Sequence, residues 1–403
     1  MSNFRLVLFD DDSRSQFLPL AWTKPIADFR IGIFTIREKW EQRLKSESTT
    51  ATADYLQDFA FPYLPDATKQ NLWINSRVVP TGELAFEVLA LQPGEALIKG
   101  EFLLAVNRGN DIEKMPLTTH EHLNGDFSVK QSNVPAINLH RINDIFTHNG
   151  KAIVEDFELL KNHISAKLSS SNIVIGTHPV FVGKNVIAEA STFNTTKGPI
   201  YIGDNVEIME GCHLRGPLAI CENAVLKMGA KIYGDTTIGP GSKIGGEVSN
   251  CVIFGNSNKA HDGFIGNSVI GEWCNLGADT NCSNLKNNYG EIAVWNYSIG
   301  GSENTGMQFH GIIMGDHSKC GINTMFNTGT VIGVACNIFG SGFPRNFVPD
   351  FSWGGAQGME VYPIAKVVEV AELVMQRRNM RLDDTDKKIL SHVFAETAKY
   401  RKF

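Results

Sequence analysis

The sequence predicts an N-terminal α/β domain, then a parallel β-helix, then two C-terminal helices. The β-helix is indicated by aliphatic residues that stand six apart without a break: Ile202, Ile208, Leu214, Ile220, Leu226, Ile232, Ile238 and Ile244. Neither the roughly 3.6-residue period of a helix nor the alternation of an ordinary strand produces this spacing. A fixed short repeat with small residues between the aliphatics is typical of a coil in which each turn covers the next.

The repeat continues beyond this run, with one change of register. The phase resumes two residues out of register and is then carried by Val252, Asn258 (poorly), Phe264, Ile270 and Leu276. It returns at Met314, Cys320, Phe326, Ile332 and Ile338. These positions predict a β-helix over 172–342. Residues 285–311 break the phase, so we expect them to leave the coil as a long excursion, and such excursions often carry function.

Residues 1–140 are predicted to form the α/β domain. The segments FRLVLFD, NLWIN and EALIKGEFLLAVN are apolar enough to be buried strands. The segment RIGIFTIREKWEQRL has helical periodicity, with Ile33, Ile36, Trp40 and Leu44 on one face.

Two further helical regions flank the predicted coil. Residues 141–171 are predicted as a connector whose helix turns Ile153, Phe157, Leu160 and Ile164 inward. Residues 343–403 hold helical segments at 362–379 and about 384–401, the second capped by Asp383 or Asp384. We expect these helices to cover an open end of the coil, because an uncapped β-helix exposes strand edges.

Composition excludes several classes of protein. The net charge is −6 with no basic block, which argues against nucleic acid as the main partner. No stretch of about 20 apolar residues predicts a membrane span. The start, MSNFRLVLFDDD, lacks the basic region of a signal peptide, so we expect a cytoplasmic protein. The seven cysteines form no CxxC pair, and five fall at inward positions of the repeat, which predicts buried, unpaired thiols.

The segment SNKAHDGFIGNSVIGEWCNLGADTNCSN carries a family resemblance. It is similar to SKxxHLxYLGDxxIGxxVNIGAGTxxxN of the bacterial bifunctional enzymes that make UDP-N-acetylglucosamine. These enzymes join a sugar-1-phosphate nucleotidyltransferase domain to a left-handed β-helix with acetyl-CoA-dependent N-acetyltransferase activity. The chain most resembles a diverged group of sugar nucleotidyltransferase-like proteins with this architecture. The resemblance is strong over 172–342 and thin over 1–140, and it implies a homotrimer and a left-handed coil.

The resemblance assigns roles to residues of the motif. It implies that His261 is the catalytic base, that Asn275 contacts the substrate, that Asn284 lies near the reacting groups and that Ala278 lies beside acetyl-CoA or another acyl-CoA. Phe264 replaces the family tyrosine and removes a hydroxyl from the sugar site. From the histidine alone, a solvated residue of the coil remains the alternative reading.

Two basic residues outside the motif complete the predicted transferase site. Lys227, in the segment LKMGA, resembles an arginine that holds a substrate phosphate. Arg345, in FPRN, resembles basic residues that approach the coenzyme. The chemistry agrees with this assignment, because an amino sugar must lose a proton before it attacks a thioester and an imidazole titrates in the right range to take it.

The N-terminal domain departs from its family pattern. Active sugar nucleotidyltransferases follow the first strand with a glycine-rich loop that cradles phosphates, and here that place reads DDDSRS. Arg14 and Lys24 resemble the signature arginine and lysine. Asp11 and Asp12 are the candidate Mg²⁺ ligands. The family's metal-binding aspartate is replaced by Asn75, so nucleotidyl transfer and a domain that only binds weakly or supports the fold both remain open.

The sequence therefore predicts a sugar-modifying transferase, with two alternatives. The leading hypothesis is acyl transfer to the amine of an amino-sugar phosphate or nucleotide sugar at the β-helix. The first alternative is a sugar-1-phosphate nucleotidyltransferase whose β-helix serves as a trimerisation scaffold. The second is a non-catalytic protein that binds nucleotide sugars or has a regulatory role.

Overall fold

The structure is a computed structural model that describes residues 4–59, 61–63, 68–111 and 127–403. The chain forms two compact units. The first comprises residues 1–17, 24–29 and 34–142, and the second comprises residues 18–23, 30–33 and 143–403. Two short segments of the N-terminal sequence therefore belong to the second unit. Among the described residues, no helix is long and apolar enough to cross a membrane.

The first unit is an α/β domain, as predicted. Its strands are β1 (Phe4–Phe9), β2 (Ser48–Ala51), β3 (Gln70–Asn75), β4 (Val78–Val79), β5 (Glu95–Lys99), β6 (Phe102–Asn107), β7 (Ser128–Gln131) and β8 (Ile137–Asn138). Its helices are α1 (Ile36–Leu44) and α2 (Gly82–Leu89). Six strands form one sheet in the order β2-β1-β3-β6-β5-β7, in which β1 runs parallel to β2 and β3.

Buried residues join the sheet and helices of this unit. Val7, Phe9 and Trp73 belong to one buried cluster on the sheet. Helix α1 begins with a capping box, in which the Thr35 hydroxyl accepts from the backbone N–H of Glu38 and the Glu38 carboxylate accepts from that of Thr35. The chain after β1 continues as a 3-10 helix over Asp12–Phe17.

The second unit contains the coil. Its strands are β9 (Ile173–Ile175), β10 (Val180–Val182), β11 (Ile187–Ala188), β12 (Thr192–Asn194), β13 (Ile200–Ile202), β14 (Glu207–Ile208), β15 (His213–Arg215), β16 (Leu218–Ile220), β17 (Val225–Leu226), β18 (Lys231–Tyr233), β19 (Thr236–Ile238), β20 (Lys243–Ile244), β21 (Glu247–Gly255), β22 (Asn258–Lys259), β23 (Phe264–Glu272), β24 (Asn275–Leu276), β25 (Asn281–Cys282), β26 (Ala293–Asn296), β27 (Gly301–Asn304), β28 (Ile313–Met314), β29 (Lys319–Cys320), β30 (Met325–Phe326), β31 (Val331–Ile332), β32 (Asn337–Ile338), β33 (Phe347–Val348), β34 (Ser352–Gly355) and β35 (Gly358–Val361).

These strands pair in parallel from coil to coil, which confirms the predicted β-helix. Strands β10, β13, β16 and β19 form one series, and a separate sheet contains β11, β14, β17, β20, β22, β24, β29 and β32 in succession. Ile202 pairs with Ile220 and Ile220 with Ile238, so one coil takes three six-residue repeats. All eight residues of the unbroken run lie in one buried core. The seven cysteines are buried and unpaired, as predicted.

One coil is shorter than the others, and this corrects the predicted register. Ile238 pairs with Ile253 and Ile244 with Lys259, fifteen residues on instead of eighteen. The core therefore receives Ile253 and Ile265 rather than Val252 and Phe264. Two of the three residues are lost in the turn before β21, because Ile232 pairs with Val248, only sixteen residues on. The third is lost where β21 continues around a corner of the coil as a single strand.

Two short helices lie against the coil before its first strand. Helix α3 (Asp144–Thr147) is followed by α4 (Asn149–Asp156) and a 3-10 helix at Phe157–Leu160. The Asn149 amide donates to the carbonyl oxygen of Asp235 at 2.7 Å, which ties α4 to the coil. Ile153 and Leu160 are buried as predicted, but Ile164 is 95% exposed. The helical pattern ends before Ile164, so the inward direction predicted for it is wrong.

The C-terminal helices are α5 (Ile364–Gln376) and α6 (Asp384–Glu396), and Asp383 caps the second with a capping box. Phe394 of α6 packs edge-on against Phe351, beyond the last repeat of the coil. Helix α5 has a different position from the predicted end cover. Beyond its last turn, Arg378 donates hydrogen bonds to Gly241 and Asn258, in the middle of the coil. Helix α5 therefore runs beside the β-helix and forms one wall of a cavity.

Candidate functional site

A cavity of about 740 Å³ lies between the sheet that contains β20, β22, β24 and β29 and the C-terminal end of α5. Along this sheet the outward residues Lys243, Asn258, Asn275 and Lys319 pair in succession from coil to coil. Parallel pairing places residues of equal phase side by side, so one outward position per coil builds a continuous polar wall. Lys227, His261 and Ala278 also line the cavity, which brings four of the predicted site residues together.

His261 lies in the turn between β22 and β23, and its side chain is exposed at the cavity. The turn is held from two directions. The buried amine of Lys259 donates to the carbonyl oxygens of His261 and Asp262. Gly263 has a φ of +106°, and a Cβ there would lie 2.2 Å from the carbonyl oxygen of Thr280. The close approach requires glycine at this position.

The side-chain amide of Asn275 is oriented by a chain of hydrogen bonds that begins at Arg378, just after α5. The Arg378 guanidinium donates to Oδ1 of Asn258 at 2.8 Å. The Nδ2 of Asn258 then donates to Oδ1 of Asn275 at 3.3 Å. Because the oxygen of Asn275 accepts this bond, its Nδ2 is the group left to donate to a ligand.

The cavity is strongly basic. Five cationic residues line it, and no carboxylate does among the lining residues that the structure describes: Lys227, Lys243, Lys319, Arg377 and Arg378. Burial lowers the pKa of Lys319 from its usual value, and burial together with the adjacent Arg377 lowers that of Arg378. Partly desolvated cations attract anions, and both Arg and Lys are common ligands of phosphate groups in proteins.

Four of these cations were missed by sequence reasoning. Lys243 and Lys319 each precede an inward residue of the repeat, and the sequence therefore contained a signal for their outward direction. Arg377 and Arg378 follow α5, and nothing in the sequence indicates that this segment lies beside β22.

Two predicted residues lie elsewhere on the coil. Asn284 and Phe264 both sit over Gly266, where an added Cβ would meet Nδ2 of Asn284 at 2.5 Å and the tip of the Phe264 ring at 2.7 Å. The amide of Asn284 donates to Oδ1 of Asn267 at 2.8 Å. Neither residue lines the cavity that contains His261. Phe264 and Asn284 therefore lie next to each other, apart from the other motif residues.

Arg345 lines a second cavity of about 580 Å³. Aromatic residues dominate this cavity, and Trp295 and Phe347 stack in it with ring centroids 4.1 Å apart. Lys402 is its other basic residue. The structure thus separates Arg345 from Ala278, the other residue expected near the coenzyme.

Asp11 and Asp12, the candidate Mg²⁺ ligands of the first unit, are not arranged as a metal site. The Oδ2 of Asp11 accepts from Nδ2 of Asn75 at 2.8 Å and from the Arg77 guanidinium, and its Oδ1 accepts from the backbone of Ser13 at 3.0 Å. These donors occupy the positions that a cation would need, and Asp12 is exposed. Within the described residues no group of three or more His, Cys, Asp or Glu side chains is arranged to hold a metal ion. The arrangement does not fit Mg²⁺ at Asp11 and Asp12.

Arg14 and Lys24 lie close to the end of β1 in sequence and belong to the first unit. The Arg14 guanidinium donates to the Tyr55 hydroxyl at 2.8 Å and lies 3.5 Å from the Asp10 carboxylate. Burial raises the pKa of Asp10. Lys24 is buried, with 3% of its surface exposed. Lys24 is thus part of the interior of the first unit, whereas Arg14 is partly exposed at its edge.

Three other histidines of the coil lie outside the cavity that contains His261. His310 is fully buried, packs edge-on against Phe146 at 5.2 Å, and burial lowers its pKa to about 4. His213 is exposed at an outward position of β15. His317 stacks on Trp273 with centroids 6.4 Å apart.

Comparisons with known proteins support the resemblance. A family described as sugar nucleotidyl transferase matches residues 6–164. The chain is 27% identical over 191 residues to the bifunctional protein GlmU of Clostridium kluyveri, covering 46% of this chain and 41% of that one. It is 30% identical over 146 residues to a bifunctional sugar-1-phosphate nucleotidylyltransferase/acetyltransferase of Sulfurisphaera tokodaii, covering 36% of each.

The matches therefore span less than half the length of these relatives. Among solved structures, a variant of AntD, an N-acyltransferase from Bacillus cereus in complex with dTDP-4-amino-4,6-dideoxyglucose and coenzyme A, is 15% identical, covers 49% of this chain and 90% of its own, and gives a TM-score of 0.25. The predicted similarity to bifunctional sugar nucleotidyltransferases and acetyltransferases is confirmed by the family match and the curated relatives.

Proposed function

We propose that the second unit transfers an acyl group from acyl-CoA to the amine of an amino-sugar phosphate or nucleotide sugar. The observation that carries this proposal is the cavity itself. It joins an exposed imidazole, an amide N–H donor and five cations, and no carboxylate is among the lining residues in the described part of the chain. Both substrates of such a reaction are phosphorylated, and the reaction needs a base for the ammonium group. The cavity offers both features in one place.

In this reaction His261 is the general base. Its imidazole first passes the ammonium proton of the amino sugar to solvent. As the amine nitrogen attacks the carbonyl carbon of the thioester, the imidazole accepts the second proton. When the carbon–sulfur bond breaks, the imidazolium gives this proton to the departing CoA thiolate. The products are the amide and free coenzyme A.

The amide of Asn275 is placed to donate to an oxygen of the substrates, because its own oxygen is already engaged by Asn258. A donor fixed in advance stabilises charge that develops on a carbonyl oxygen without further reorganisation. Lys227 binds a phosphate of the acceptor, and Lys319, Arg377 and Arg378 supply further charge for the phosphates of the two substrates. Ala278, with its small side chain, lies beside the coenzyme.

The remaining predicted residues have subordinate places in this proposal. Arg345 binds a phosphate of the coenzyme at the second cavity, which would require the ligand to extend between the two cavities. Phe264 and Asn284 lie on a different part of the coil and approach the substrates only if another copy of the chain completes the site. A homotrimer supplies such a copy. The trimer and a cytoplasmic location rest on the resemblance.

Nucleotidyl transfer by the first unit is the second candidate function. The family match over residues 6–164 favours it. Against Mg²⁺-dependent chemistry at Asp11 stands the hydrogen bonding of its carboxylate to Asn75 and Arg77. Pyrophosphate release from a nucleoside triphosphate in the presence of a sugar 1-phosphate, lost in an Arg14→Ala, Lys24→Ala double variant, would support this activity.

The proposal is tested by thiol release from acetyl-CoA and longer acyl-CoAs against amino-sugar phosphates and UDP-amino sugars. A thermal-shift screen of the same ligands reports binding without turnover, since a ligand at 100 times its Kd stabilises the folded state by about 2.7 kcal/mol. Thiol release with one acceptor supports acyl transfer. Binding of acyl-CoA without thiol release in the presence of any acceptor would favour a binding protein. Absence of both binding and thiol release would favour a β-helix that serves only as a scaffold.

A further inference from the structure

Lys259 occupies a place in the coil that is otherwise apolar. Its neighbour in the preceding coil is Ile244, and the pairing of Asn258 with Asn275 puts Leu276 beside it in the following coil. Both neighbours belong to the buried core. Only 2% of the surface of Lys259 is exposed. An isolated lysine at such a position is unfavourable, because the ammonium group loses its hydration.

The amine finds its partners in the turn that carries the candidate base. Nζ of Lys259 donates to the carbonyl oxygen of His261 and, at 2.8 Å, to that of Asp262. The carbonyl of Asp262 also accepts from the backbone N–H of Asp279 at 3.1 Å. Burial lowers the pKa of Lys259 to about 8, and the nearby carboxylates of Asp262 and Asp279 oppose this shift.

An apolar residue would fill the same position at lower cost to folding. Burying an ammonium group has a desolvation cost that an aliphatic side chain does not have, and the flanking positions of the ladder are Ile244 and Leu276. Stability alone therefore does not explain a lysine here. Its two hydrogen bonds do something that no apolar side chain can do, since they fix the backbone on both sides of His261.

We propose that Lys259 is a positioning residue, whose amine holds the carbonyls of His261 and Asp262 so that the imidazole stays directed into the basic cavity. This inference rests on the proposed acyl transfer for its consequence on rate. The expected effect of Lys259 on the structure of the turn can be measured even if the protein has no acyltransferase activity. A displacement of a reacting group by about 1 Å reduces rates on the order of 10²-fold.

The test uses the full chain with Lys259→Met, which keeps most of the length of the side chain and removes its donors. Ile244→Met is the matched control, because it changes the neighbouring core position without touching the turn. We expect Lys259→Met to retain or raise the melting temperature and to increase hydrogen exchange at the amide of Asp279, which donates to the carbonyl of Asp262 in the turn, at least tenfold. We expect kcat to fall about 10²-fold, with KM for acyl-CoA unchanged. Ile244→Met should change neither exchange at this amide nor kcat.

The outcomes separate this inference from the proposed function. If wild-type protein shows no acyl transfer but Lys259→Met selectively raises exchange at the amide of Asp279, the proposed function fails and the positioning of the turn stands. If wild-type protein is active and Lys259→Met keeps both its kcat and the protection of this amide, the positioning role is overturned. If exchange rises throughout the coil and the melting temperature falls, Lys259 supports the fold in general and the positioning role is likewise overturned.

Discussion

Replacing His261 by alanine is the most direct perturbation of the proposed reaction. The side chain is exposed and lies in a turn outside the buried core. Exposed substitutions away from special structural features change stability by at most about 0.5 kcal/mol. The backbone contacts that hold the turn come from Lys259 and do not involve the imidazole. We therefore expect His261→Ala to fold normally and to retain the shape of the cavity.

The expected loss of rate follows from what else lines the cavity. A positioned general base contributes about 10²–10⁴-fold to a rate, which corresponds to about 2.7–5.4 kcal/mol in the activation free energy. The other ionisable side chains of the described lining are lysines, arginines and the thiol of Cys274, whose pKa burial raises, and no carboxylate is present to replace the imidazole. Protonated cations do not accept a proton, so the loss should lie within this range rather than below it.

The assay is thiol release from acetyl-CoA with the acceptor that the wild-type protein uses, and calorimetry measures acyl-CoA binding in parallel. Coenzyme affinity should remain unchanged in His261→Ala, because the phosphates are held by the cations. His213→Ala is the matched control, since His213 is an exposed histidine on another sheet of the coil and does not line this cavity.

A full wild-type rate in His261→Ala would refute the assignment of the base. An equal loss in His213→Ala would show that the rate depends on the coil in general and not on this imidazole. Loss of coenzyme binding together with loss of rate would mean that His261 contributes to binding, and the argument from the cations would then be wrong.

Three further predictions concern the hydrogen bonds and buried groups of both units. Asn275→Ala should raise KM for the acceptor about tenfold, and Arg378→Ala should do so less strongly; because both act through one hydrogen-bonded chain, the double variant should show less than the sum of the two effects in steady-state kinetics. Asn75→Asp should lower the free energy of unfolding by about 1–3 kcal/mol at pH 7 in urea titrations, because it sets a second carboxylate against Asp11, and an unchanged midpoint would contradict this reading. Burial lowers the pKa of His310 from its usual 6.5 to about 4, so between these pH values the unfolded chain binds a proton that the folded chain does not bind. The free energy of unfolding should therefore fall by about 3 kcal/mol as the pH is lowered from 6.5 to 4. His310→Leu should abolish this part of the pH dependence, and urea titrations at both pH values would measure it.

The coil could be predicted because its core is periodic. A side chain that points inward every six residues leaves a pattern of aliphatic residues that needs no knowledge of distant contacts, and all eight residues of the unbroken run are buried together. After Ile244 the predicted inward positions are wrong at Val252, Asn258 and Phe264, and they are confirmed again from Ile270 onwards. The spacing shortens in the turn before β21 and at the corner that β21 passes as one strand, and a single sequence does not show where a coil loses three residues.

The site could be predicted only in part, for a related reason. His261, Asn275, Ala278 and Lys227 converge because they lie at related positions of successive coils. Phe264 and Asn284 occupy the same motif but face another part of the coil.

By itself, the sequence determined the β-helix, the α/β character of the first unit and the turn that carries His261, because each depends on local spacing and apolar patterning. Only the tertiary structure decided which charges meet around that turn. Arg377 and Arg378 reach the cavity through the packing of α5, and Lys259 enters the core through a shortened coil. Asp11 is likewise engaged by Asn75 and Arg77, from more than sixty residues away. Such convergence depends on contacts between distant segments, and these leave no periodic signal in the sequence.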